Sequence, residues 1–109
     1  MGLFGKKKYV KNVERDNTFM KDYAVKINGL QRLAEGNDTV TKALKKLQED
    51  FQFTVATQLT DAKKIERRIE EKYKELRETL EKPAWDEQAV LMLIRSIGVD
   101  LDDISALRK

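Results

Sequence analysis

The stretch TVTKALKKLQEDFQFTVATQLTDAKKIERRIEEKYKELRETLEK, residues 39–82, decides the fold. It contains neither glycine nor proline and is built almost wholly of good helix formers. Its apolar residues run Val40, Leu44, Leu47, Phe51, Val55, Leu59, Ala62, Ile65, Ile69, Tyr73, Leu76, Leu80, always three or four apart. That spacing lines one face of an α-helix. A continuous helix here would be about 65 Å long, several times the ~13 Å radius of gyration of a compact 100-residue globule. Such a spine needs more cover than one short chain supplies, so the sequence predicts self-association.

The second half of the stretch is the narrower surface. Between Asp61 and Lys82 charges of both signs alternate, with Glu70 and Lys74, and Glu78 and Lys82, in the favourable i, i+4 order. The remaining apolar seam contains Ile65, Ile69, Tyr73, Leu76 and Leu80, and we expect it to pair with a second copy in an antiparallel dimer or with another helical protein. The seam drifts out of a strict heptad, which favours ordinary helix packing over a long supercoil.

Working outward, Phe19, Tyr23, Ile27, Leu30 and Leu33 predict a first helix over 18–35, with Asn17 or Thr18 able to cap its start. Asn28-Gly29 is a turn signal inside it and predicts a kink at Gly29. Gly36 suits a left-handed helix end and Asp38 a cap for the helix that follows. Beyond Pro83, Trp85 reads as a plug over the end of the core, and the run Ala89–Ile94 with Ile97 as the most buried helix. Gly98 then predicts its end, and Asp100 caps a last short helix, giving a closing pair near 84–97 and 101–108. The expected architecture is all-α: an elongated helical bundle on one long central helix, about 39–82, with a shorter N-terminal helix and a C-terminal helical pair.

The 109 residues allow one domain. Charged residues are 38% of the chain and the net charge is +3. Residues 1–16 hold five basic and two acidic side chains, so the whole surplus sits there, and residues 17–109 form a neutral helical domain. Residues 1–16 read as a basic, mobile tail. Leu3 and Phe4 beside Lys6, Lys7 and Lys8 suit contact with an anionic membrane surface. The start Met-Gly-Leu-Phe-Gly-Lys-Lys-Lys is similar to that of membrane-remodelling helical-hairpin proteins of the ESCRT-III kind, which implies the same peripheral contact.

Whole classes of chemistry are excluded by composition. With no cysteine and no histidine there are no disulfides, no Cys/His metal sites and no imidazole catalysis. Carboxylate pairs such as Glu70 and Glu71, or Asp102 and Asp103, lie on charge-dense faces where solvent keeps them ordinary. Glycines at 2, 5, 29, 36 and 98 form no phosphate-cradling loop. We therefore expect no catalytic, metal or cofactor site. The longest unbroken apolar run covers six residues, too few for a membrane span, so the expected location is cytoplasmic with at most a peripheral membrane contact.

The closing pair supplies one further expectation. Residues 94–107, Ile-Arg-Ser-Ile-Gly-Val-Asp-Leu-Asp-Asp-Ile-Ser-Ala-Leu, resemble the helix junction of MerR-type regulators, which implies a DNA-binding helix-turn-helix. Asp100, Asp102 and Asp103 would open the recognition helix and repel phosphates, so nucleic acid is the least favoured partner. The reading the sequence favours is a non-catalytic helical interaction or structural module that self-associates.

Overall fold

The computed structural model describes residues 18–57 and 59–107. The proposed boundary between a tail and a domain at residue 16 therefore lies outside the described residues. Four helices pack into an all-α bundle: α1 over 18–30, α2 over Asp38–Phe53, α3 over Thr60–Leu80 and α4 over Glu87–Leu107. The longest, at 21 residues, span about 31 Å at ~1.5 Å per residue, so the bundle is longer than it is wide.

The single central helix is corrected: residues 54–57 leave the helical conformation, and two helices replace the one. The local cause is a cluster of β-branched residues, Thr54, Val55, Thr57 and Thr60, which lose rotamer freedom in a helix. Thr54 turns extended at φ −84°, ψ 128°, and its hydroxyl donates to the Asp50 carbonyl at 2.6 Å. The Thr57 hydroxyl accepts from the Leu59 amide at 3.4 Å. The tertiary cause is larger. Tyr23 on α1 stacks on Phe51 of α2 at 5.9 Å and meets Tyr73 of α3 edge-on at 5.3 Å. In one straight helix, residues 51 and 73 would stand about 33 Å apart.

Two antiparallel hairpins result, α1 with α2 and α3 with α4. They pack so that α4 runs along both α3 and α2, while α2 and α3 barely approach each other. Tyr23 and Lys26 place α1 against α3, which closes the ring. Residues 54–57 carry the chain out of α2, and Ala56 among them is buried in the core. The core is the expected apolar stripe: Val40, Leu44, Leu47 and Phe51 from α2 meet Ile69 and Leu76 from α3 and the inner face of α4. Trp85, partly buried, packs against this core.

Two further boundaries differ from expectation. The first helix ends at Leu30 rather than 35, and Gly29 lies within it; residues 31–36 tighten into i, i+3 turns, with Leu33 N–H donating to the Leu30 carbonyl at 3.0 Å. Gly36 ends these turns at φ +93°, a left-handed conformation that excludes most other residues. Asn37, not Asp38, caps α2, its Oδ1 accepting from the Val40 amide at 3.0 Å; Asp38 sits in the first turn, where the helix dipole favours it.

The closing pair is also corrected, because α4 runs unbroken through Gly98. Its buried positions, Val90, Ile94, Ile97, Leu101 and Ile104, keep helical steps of four, three, four and three across the glycine. Asp100 caps nothing. It is 3% exposed, and its carboxylate receives Lys72 Nζ at 2.7 Å and Arg68 Nη2 at 3.3 Å. Asp86 takes the capping role for this helix, its Oδ2 accepting from the Ala89 amide at 3.3 Å. A helix-turn-helix corner at 98–100 is absent.

Candidate functional site

The predicted association seam is occupied within the chain. Ile65, Ile69, Leu76 and Leu80 are buried in the core, and Tyr73 lies half-buried against Tyr23, so none presents the free stripe that a dimer through them requires. The correction follows from the break at 54–57, which lets the other hairpin cover α3. The proposed membrane-contact residues, Leu3, Phe4, Lys6, Lys7 and Lys8, lie outside the described residues.

What the fold leaves open is the outer face shared by α2 and α4. A groove of about 360 Å³ runs between these two helices, floored by Leu47, Leu91 and Ile94. Ala43 and Gly98, both small, leave it shallow-walled. Asp102, toward the end of α4, acts electrostatically on Asp50, toward the end of α2, so the two helices run parallel and the groove has a direction. Lys46 and Arg95 flank its middle and Asp50 and Asp102 its far end. Burial pushes the Asp50 carboxyl above its ordinary range; Lys46 opposes this, while Asp102 and Glu49 add to the rise.

Exposed apolar side chains stand on the same two helices. Phe53, one turn beyond Asp50, is 82% exposed; on α4, Met92 is 68% and Val99 53% exposed. Isolated exposed hydrophobes are ordinary, but Val99 lines a groove whose floor is already apolar, and Phe53 and Met92 stand on the same two helices. The α1–α3 side differs in character. Lys26, Arg32 and Arg77 surround Tyr73 there, with the Lys26 ammonium 4.6 Å from the centre of the Tyr23 ring. Tyr23 is itself a core residue, and burial, then Glu70, Tyr73 and Asp22, raise its phenol above the ordinary value.

Among the described residues, no three or more His, Cys, Asp or Glu side chains are grouped to hold a metal ion. Among the same residues, no helix is long and apolar enough to cross a membrane. Compared with family models, curated proteins and solved structures, the chain matches none. Sequence reasoning missed two features of this region. The groove could not be seen until α2 and α4 were known to be neighbours. Asp100 read as a cap, although its place between Ile97, Leu101 and Ile104 puts it beside a buried face where a charge needs partners.

Proposed function

We propose that this chain is a non-catalytic helical interaction module that self-associates. The observation that carries the reading is the apolar-floored groove between α2 and α4, lined by the exposed Val99, with Phe53 and Met92 also in solvent on these two helices. Apolar area of that kind gains about 25 cal/mol per Å² when a partner covers it. The test is sedimentation velocity of the full chain from low micromolar to several hundred micromolar. A reversible shift from monomer to dimer supports the reading, and a single monomeric species throughout removes it.

A second reading is favoured by the placement of the whole +3 surplus in residues 1–16. In it the tail carries the module to an anionic membrane surface on the cytoplasmic side, through Leu3, Phe4 and Lys6–Lys8. Intact protein then sediments with anionic vesicles and protein lacking residues 1–8 does not; intact protein that never sediments ends this reading.

A further inference from the structure

We infer that the α2–α4 face joins two copies of this chain about a two-fold axis, with α2 antiparallel to the partner's α2 and α4 antiparallel to the partner's α4. The inference rests on the self-association proposed above and adds the surface, the orientation and the register.

Charge sets the orientation. On α2, Lys46 and Asp50 are one turn apart; on α4, Arg95 and Asp102 are two turns apart, and all four line the groove. In both helices the basic residue comes first, and the helices are parallel, so the face has a basic part and an acidic end. Stacking a second copy in the same direction sets like charge on like. Reversing it sets Lys46 over Asp50 and Arg95 over Asp102, twice each, because the contact is its own mate. Both exchanges follow from one two-fold axis lying across the helices, passing α2 at Gln48 and α4 between Gly98 and Val99.

Side-chain size agrees with that axis. Rotation about the level of residue 48 brings Phe53 to the level of Ala43. The largest exposed side chain of the face thereby comes level with a small residue. At the crossing itself stands Gly98, with no heavy atom within 4 Å of where a Cβ would lie, so the backbone of one α4 can approach that of the other closely. Val99, exposed in the single chain, then packs against its own counterpart. The four groove charges and the Phe53–Ala43 level are thus all compatible with one operation.

The experiment is a charge exchange read by sedimentation velocity on the full chain. Lys46→Glu alone and Asp50→Lys alone each put like charges together across the axis and weaken the dimer about tenfold or more. Mixed one to one, the two variants restore both contacts in a heterodimer, and a chain carrying both substitutions restores them in a homodimer. Asp50 is half-buried, so Arg95→Glu and Asp102→Lys, at two exposed positions, repeat the same exchange on α4, with circular dichroism confirming the fold. Recovery on mixing supports the inference. Wild-type dimers indifferent to all four single reversals overturn this interface and leave self-association standing. Single reversals that weaken the dimer without recovery on mixing overturn the antiparallel register. A wild-type chain that stays monomeric overturns both readings.

Discussion

Gly98→Ala tests whether α4 is one helix. The residue is the twelfth of a 21-residue helix, its φ is not positive, and a Cβ built there meets no heavy atom within 4 Å. Nothing in the single chain therefore requires glycine. Alanine is favoured over glycine in a helix interior by about 0.8–1.0 kcal/mol, mostly through the entropy of the unfolded chain. The folded-to-unfolded ratio should rise about fivefold, and for a domain of this size Tm should rise by roughly 4–8 °C. Gly36→Ala is the internal control: at φ +93° an added Cβ is strained, and stability should fall by about 1 kcal/mol or more.

The assay is thermal and urea unfolding followed by circular dichroism, run at a concentration where the monomer dominates so that association does not shift the apparent Tm. A rise for Gly98→Ala with a fall for Gly36→Ala is the expected pair of results. If both substitutions destabilise to a similar extent, Gly98 occupies a left-handed helix end, α4 is two helices, and the continuous-helix account is refuted.

Lys72→Met removes the closer cation from a carboxylate that is almost wholly buried; with only Arg68 left, stability should fall by about 2–3 kcal/mol in urea unfolding, whereas Arg68→Ala, at an exposed guanidinium, should cost under about 1 kcal/mol. Ile69→Ala opens a cavity in the core of a single chain and should destabilise by roughly 2–5 kcal/mol; a shift in dimer dissociation without loss of stability would instead restore the seam at α3 as an interface. The pH dependence has a definite sign at Asp50, which faces Lys46 and Glu49 on its own helix and Arg95 and Asp102 across the groove. Its folded carboxyl lies above the ordinary 3.8, so its contribution to stability is fully present below that value and is lost as pH rises through the folded one; Asp50→Asn should flatten this decline. A partner's Lys46 favours the ionised form, so dimerisation releases a proton and should tighten between acid pH and neutrality in wild type but not in Asp50→Asn.

The stripes were legible because burial on a helix leaves a period. Val40, Leu44, Leu47 and Phe51, and Ile65, Ile69, Leu76 and Leu80, are all found in the core. The ends of elements were harder, since capping residues do more than one thing. Asp100 has the side chain of a helix start, yet it serves as an acceptor for two cations on α3. Gly98 looked like a stop, but one interior glycine costs only about 1 kcal/mol, while fully burying a side chain such as Ile97, Leu101 or Ile104 gains about 1.5–3 kcal/mol. Three such residues on one face outweigh the glycine, and the helix continues. Counting the period through Gly98 would have shown it.

The break at 54–57 changes the reason for expecting association. A 44-residue spine needed a partner because nothing in the chain could cover its length. Once β-branched residues interrupt it, the two halves fold back and cover each other, and the need based on length disappears. The groove is a consequence of the same event. Folding the hairpins together makes α2 and α4 parallel neighbours, and with Ala43 and Gly98 at their shared face they do not fill the space between them. A surface that could not be inferred from either helix alone is thus the one we propose for the role first assigned to the Ile65–Leu80 seam, and its charge order makes the proposed orientation of two copies testable.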